Sequence, residues 1–175
     1  VIGRAISTSE LRVDIKSPEE IEVFIPCPPY NQLTVTTDSK WTGVEPHKAD
    51  GTTDEWGGAN MDSAAVAAIF SIWIPSNVVG APLAADLIFN MQAGTALDID
   101  VTYVRAYAGQ SNTGDAGATQ TALTVAANDD EVVKVDIKTG MDADFFKAGS
   151  AAGIAVDPDA GNAILVGLYL RYLVV

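Results

Sequence analysis

The amino-acid sequence predicts an all-β sandwich or barrel. Three observations carry this reading. Strand-like runs recur from end to end between Gly, Pro, Asn and Asp clusters, several of them alternate apolar and polar residues, and no window sustains helical periodicity over three turns. At 175 residues the chain suits one domain with a substantial core.

The first residues hold two short runs, Leu11–Lys16 and Glu20–Ile25, set among Pro18, Pro26, Pro28 and Pro29. Proline offers no N–H to a ladder and is confined to sheet edges. Residues 1–30 are therefore expected to form an extended N-terminal arm, and residues 31–175 the sandwich. The arm is expected to reach away and clasp a neighbour.

Leu33–Thr37 opens the sandwich and is followed by Thr37–Asp62, a polar connection of about 25 residues. Loops of that length inside a compact domain tend to be functional or docked on a neighbour. This one holds Trp41, Trp56, the only histidine (His47), and Gly43, Gly51, Gly57 and Gly58. In Met61–Ile69, Asp62 or Ser63 is placed to cap an alanine-rich helical turn that runs into a strand. Across Ala65–Ile74, Ala68, Phe70, Ile72 and Ile74 oppose Ile69, Ser71 and Trp73, and Pro75 closes the run. Trp73 is expected to be packed.

Further strands are expected at Ala84–Asn90, Ala96–Tyr107, Thr119–Val125, Glu131–Lys138 and Ala152–Val156. Leu97, Ile99, Val101 and Tyr103 alternate with Asp98, Asp100 and Thr102. Val133, Val135 and Ile137 alternate with Val132, Lys134, Asp136 and Lys138. Gly109–Ala118 reads as a loop tip, and Asp142–Lys147 as a single turn.

The closing run Ala163–Val174 is the most informative. At period two, Ile164, Val166, Leu168, Leu170, Tyr172 and Val174 fall on one face. Leu165, Tyr169, Leu173 and Val175 fall on the other, with Arg171 the only formal charge. A strand apolar on both faces is buried on both. It lies either beneath a loop or against another subunit, and Leu165, Tyr169, Arg171 and Leu173 become interface candidates.

Composition supports association. Apolar residues make up 48 % of the chain and charged residues only 19 %, which favours surface lost to partners. The net charge of −13 gives no counterion release on nucleic acid and repels an anionic membrane. Direct nucleic-acid binding is not expected. No run of 18 apolar residues predicts a membrane span, and the start Val1-Ile-Gly-Arg-Ala-Ile lacks the apolar core of a signal peptide.

Chemistry has little to build on. Cys27, the only cysteine, stands in Ile25-Pro-Cys-Pro-Pro29 and reads as a half-buried, inert thiol. One histidine and one cysteine cannot assemble the common nucleophile–base or zinc sets. Asp157-Pro-Asp-Ala-Gly-Asn162 has the oxygen spacing of a calcium loop but lacks its third acidic ligand and distal glutamate, so a turn with Asx bonds is expected. Asp129-Asp130-Glu131 reads as a solvated turn that discourages edge pairing. No catalytic residue, metal or cofactor is expected, and the chain reads as a non-enzyme. Trp41 and Trp56 serve as interface anchors or as a sugar platform, with the anchor preferred.

From Ala65 onward the pattern resembles the jelly-roll domains of structural proteins from tailed phages and related viruses. The resemblance is carried by Val66-Ala-Ala-Ile-Phe-Ser-Ile-Trp-Ile-Pro75, by the long strand Leu97–Tyr107, by Phe145-Phe-Lys-Ala-Gly-Ser-Ala-Ala-Gly-Ile-Ala-Val-Asp157 and by Ala163-Ile-Leu-Val-Gly-Leu-Tyr-Leu-Arg-Tyr172. It implies a jelly-roll-like antiparallel β-sandwich and a non-enzymatic virion component. The expected role is an oligomeric capsid decoration (cement) or capsid-building subunit, a trimer, contacting other virion structural proteins. The acidic charge places it on the particle exterior. The alternative is a receptor- or carbohydrate-binding module of a tail or head fibre, with a glycan as partner. The first 60 residues have no counterpart in that group.

Overall fold

The computed structural model describes residues 2–7, 10–14, 17–27, 32–34, 47–48, 55–56, 58–61, 66–91, 96–108, 116–126, 131–141, 145–159 and 163–175. Fourteen strands lie among them. The first seven are β1 (Ile2–Ser7), β2 (Glu10–Asp14), β3 (Glu19–Pro26), β4 (Gln32–Thr34), β5 (His47–Lys48), β6 (Glu55–Trp56) and β7 (Ala59–Asn60). The rest are β8 (Val66–Trp73), β9 (Val78–Met91), β10 (Leu97–Tyr107), β11 (Ala116–Val125), β12 (Val132–Asp136), β13 (Ser150–Pro158) and β14 (Ala163–Val174).

Two antiparallel sheets form the sandwich. One has the order β11-β10-β13-β8-β4; the other has β12-β9-β14-β3, with β7 also paired to β14. Let β3 and β8 to β14 be counted one to eight along the chain. The second sheet then reads 6-3-8-1 and the first 5-4-7-2, which is the winding of a jelly roll. Among the described residues, β1–β2 and β5–β6 each form a two-stranded sheet of their own.

The core follows from strand alternation. Phe70, Leu97, Ile99, Val101, Tyr103, Ile154 and Val156 point inward from the first sheet, and Ala85, Leu87, Phe89, Met91, Leu168 and Leu170 from the second; all are buried. Each large apolar side chain so placed contributes about 1.5–3 kcal/mol. Phe145 and Phe146 close one rim. Phe145 packs edge-on against Tyr103 with ring centroids 5.1 Å apart, and Phe146 lies 5.4 Å from Tyr172.

Several expectations are corrected. The strand expected across Ala65–Ile74 is formed from Val66, with Ala67 and Ala68 paired to Leu33 and Gln32, and the cap candidates Asp62 and Ser63 lie outside the described residues. The connection 37–62 is not loop throughout: His47 pairs with Trp56, and Ala59 and Asn60 pair with Leu165 and Ile164. Cys27 is buried rather than half-buried. The segment read as an arm divides in two. Ile2–Asp14 makes the β1–β2 ribbon, whereas Glu19–Pro26 is an edge strand paired along β14 from Val174 to Gly167.

The final strand departs from strict period two. Leu165 pairs with Phe89 but Gly167 pairs with Ile88, so Val166 is the extra residue of a β-bulge. The bulge changes parity, and Leu165 therefore faces the core together with Leu168, Leu170 and Tyr172. The lane beside β14 is shared: Cys27 N donates to Val166 O at 2.8 Å where β3 ends, and Met61 N donates to Ala163 O at 2.8 Å past β7. One strand position is thus filled by two segments some thirty residues apart. Gly58 makes the splice possible, since a Cβ there would stand 2.5 Å from Leu165 O.

Candidate interaction surface

Each sheet has an outer face, and the two differ in chemistry. On the β12-β9-β14-β3 sheet, Tyr169 stands between its register partners Phe24 and Asp86. Lys134 Nζ lies 4.7 Å from the centre of the Tyr169 ring, a cation–π contact. A hydrogen bond to Glu22 pushes the Tyr169 phenol above its usual range. Arg171 Nε lies 3.1 Å from Glu20 Oε1, in a half-exposed pair of the kind that contributes little alone. Acids and bases interleave on this face, and Phe24 stands 51 % exposed among them.

The β11-β10-β13-β8 sheet presents a graded outer face. Its cross-strand rows run Asp98–Thr124, Asp100–Asp157, Thr102–Ala155–Ile69, Val104–Gly153–Ser71 and Ala106–Ala151–Trp73. Charge crowds one end. Asp157 is pushed above the usual carboxylate range, by partial burial first and then by the neighbouring Asp100 and Asp159. Thr124 Oγ1 donates to Asp98 Oδ1 at 2.7 Å. Among the described residues no group of three or more acid, His or Cys side chains is arranged to hold a metal ion.

The other end is apolar. Trp73 is 59 % exposed and Val104 50 % exposed, and between them Ser71, Ala106, Ala151 and Gly153 floor a groove of about 380 Å³. Small floor residues create that groove, as a Cβ at Gly153 would meet Val104 Cγ2 at 2.7 Å. Arg105 also lines it, but belongs to the opposite parity of β10 and holds its guanidinium 5.4 Å from the Tyr107 ring centre.

Of the residues singled out from sequence, Tyr169, Arg171 and Leu173 share the outer face of β14, partly exposed. Leu165 does not join them: the bulge turns it into the core, where it is fully buried. Trp41 lies outside the described residues. Trp56 is described only as a strand residue opposite His47. Trp73, expected to be packed, is exposed instead. Ser71, polar at the same parity, is the sequence signal that this parity faces outward.

Cys27 offers no reactive group. Burial pushes its thiol up to about 12 from 9.0, with a backbone hydrogen bond from Ala59 opposing the rise.

No protein-family model matches the chain, and no curated protein matches it. Among solved structures it is similar to Xylanase10C (mutant E385A) from Cellvibrio japonicus in complex with xylopentaose. That match has 14 % identity and a TM-score of 0.42, and covers 89 % of this chain and 28 % of that one. The structure of infectious bursal disease virus Gx strain matches at 11 % identity and a TM-score of 0.40, over 99 % of this chain and 36 % of that one. The chain spans about a third of each neighbour's length or less. At these scores neither neighbour adds to the architecture traced above. The strand order itself defines the class: a jelly-roll β-sandwich.

Proposed function

We propose that this chain is a non-enzymatic structural subunit of a virus particle, an oligomeric capsid decoration or capsid-building protein on the particle exterior. The observation that supports it most is the apolar outer surface around Trp73 and Val104, half-exposed or more on a sandwich whose core is already complete. Large exposed apolar groups of this kind mark surfaces that association covers. The strands that carry the viral resemblance, β8, β10, β13 and β14, are the central strands of the two sheets. A net charge of −13 suits an outer layer better than one facing packaged nucleic acid.

Self-association through the outer face of β14 fits its interleaved charges, because Lys134 and Arg171 there offset Glu20, Glu22 and Asp86. Sedimentation velocity and native mass spectrometry of the chain test this reading. A homo-oligomer, with a trimer as the first expectation, supports it; a stable monomer at tens of micromolar overturns it.

The second reading, a carbohydrate-binding module, draws on the exposed Trp73 indole beside a groove of sugar-sized volume. The groove argues against it, since its lining is mostly apolar and offers only Ser71 and Arg105 as polar side chains to fix a sugar's orientation. Glycan-array binding that disappears in Trp73→Ala, with the oligomer intact, would favour this reading instead.

A further inference from the structure

The Trp73–Val104 end of the first sheet is complementary to itself. Two cross-strand rows form it, Val104–Gly153–Ser71 and Ala106–Ala151–Trp73. Each row holds one large apolar group, and the two stand at opposite corners, Val104 on β10 and Trp73 on β8. Both are half-exposed or more, and the small residues between them floor the groove of about 380 Å³. Two sheets stack face to face about 10 Å apart with their strands aligned to within about 30°. Such stacking packs well where each large side chain meets a small one.

Two orientations of a two-fold axis between stacked copies satisfy that condition. An axis crossing the strands midway between the two rows lays Trp73 over the second copy's Ser71, Val104 over its Ala106, and Ala151 over its Gly153. An axis along β13 exchanges β8 with β10, and lays Trp73 over Ala106 and Val104 over Ser71. Charge decides between them. Asp98, Asp100, Asp157 and Asp159 crowd the far end of the same face. The axis along the strand stacks that end on its own copy, carboxylates facing carboxylates across about 10 Å, close to the Debye length of about 8 Å. The axis across the strands turns the second copy end for end. Its Asp100–Asp157 row then lies about 34 Å from the first copy's, at two residues of strand per row. In an acidic chain, this apolar end is where two faces meet without setting acid on acid.

We propose that the Trp73–Val104 groove is covered by the same groove of a second copy, docked face to face about a two-fold axis that crosses the strands. Each Trp73 indole enters the other copy's groove over Ser71, so the contact is isologous and closes at two copies. This inference rests on the oligomeric reading above and names the partner of one of its surfaces. The groove and the outer face of β14 belong to opposite sheets, so a two-fold pair here is compatible with association through β14.

Sedimentation velocity of the full chain and its variants tests the contact. Trp73→Ala should weaken self-association at least tenfold in dissociation constant. Ala106→Glu and Val104→Lys should each do the same alone, because each sets a charge against an apolar group of the second copy. Mixing these two variants should restore most of the lost affinity, since position 106 of one copy lies over position 104 of the other. Val104 is half-exposed and Ala106 lies on the same outward parity, and circular dichroism checks that each variant keeps its fold. A monomeric wild type overturns the oligomeric reading and this proposal together. An oligomer indifferent to Trp73→Ala, or a mixture with no recovery, overturns the two-fold contact and leaves the oligomeric reading standing. Glycan binding at Trp73 in the intact oligomer assigns the groove to a sugar and also overturns the contact.

Discussion

The Tyr103 hydroxyl on β10 donates a 2.8 Å hydrogen bond to the carbonyl of Ile137, just past β12 in the opposite sheet. Gln120 Nε2 donates to the same carbonyl at 2.7 Å and also contacts the Tyr103 hydroxyl. The two sheets are thereby tied by polar groups as well as by apolar packing. Tyr103→Phe should cost about 1 kcal/mol in urea unfolding, because Gln120 still satisfies the carbonyl. Adding Gln120→Ala should cost more than the separate changes combined, since the buried carbonyl then loses both donors. Strict additivity would show that the three groups do not act as a unit.

The loss of stability at alkaline pH has an identifiable source. The folded state holds the Cys27 proton to about pH 12, whereas its ordinary value is 9.0. Below 9 both states are protonated and nothing changes. Between about 9 and 12 the unfolded chain releases the proton while the folded one keeps it, and stability falls by up to about 1.4 kcal/mol per pH unit. Tyr103 adds a similar loss above about pH 10, because burial raises its phenol as well. Cys27→Ala should flatten the urea-midpoint profile from pH 9 upward. A profile as steep as wild type would remove Cys27 as a cause.

The β10–β11 ladder contains a strained residue with a local remedy. Ala122 holds φ at 53°, where the register shifts between Ile99 and Val101, and its N–H donates to Asp100 Oδ1 at 2.9 Å. An L-residue pays about 1–2 kcal/mol in the left-handed region, whereas glycine does not. Ala122→Gly should raise stability by about 0.5–1 kcal/mol, after its greater unfolded-state freedom is subtracted. Asp100→Ala should lower it by about 1 kcal/mol. Opposite signs at these two positions, measured by thermal melts, are the expected signature.

The sequence makes the alternating strands legible wherever one parity is apolar and the other polar. Leu97–Tyr103 against Asp98–Thr102 is such a case, and β10 forms there. The pattern fails where both parities are apolar. In Ile164–Val166 nothing marks the bulge, because Leu165 is as apolar as its neighbours on either face. The shared lane of Cys27 and Ala59 is also illegible, since it depends on which distant segment finds the free edge of β14. Trp73 is half legible. Alternation places it with Ser71, but an indole on that parity predicts packing more strongly than one serine predicts solvent.

Gly167 marks a close approach rather than a turn. A Cβ there would stand 2.5 Å from Phe24 Cζ and 2.6 Å from Ile25 O. The ring can swing aside, but the Ile25 carbonyl belongs to the β3–β14 ladder and cannot move without breaking it. Gly167→Ala should cost about 1–3 kcal/mol in chemical unfolding. Phe24→Ala should recover only part of that loss. Full recovery would show that the ring alone sets the limit.

The division of the first 30 residues between ribbon and sheet makes the last prediction. β3 pairs along eight residues of β14, and Ile21, Val23 and Ile25 pack against the core from that edge. Deleting residues 1–16 removes β1 and β2, which among the described residues pair with neither sheet, so cooperative urea unfolding should persist within about 1 kcal/mol of the full chain. Deleting residues 1–29 removes an entire edge strand. It exposes the β14 edge to pairing with other chains and uncovers the core beneath Ile21, Val23 and Ile25. That shorter chain should aggregate or lose its cooperative transition. If it unfolds cooperatively at near-parent stability, β3 is an accessory strand and the sandwich begins at residue 31.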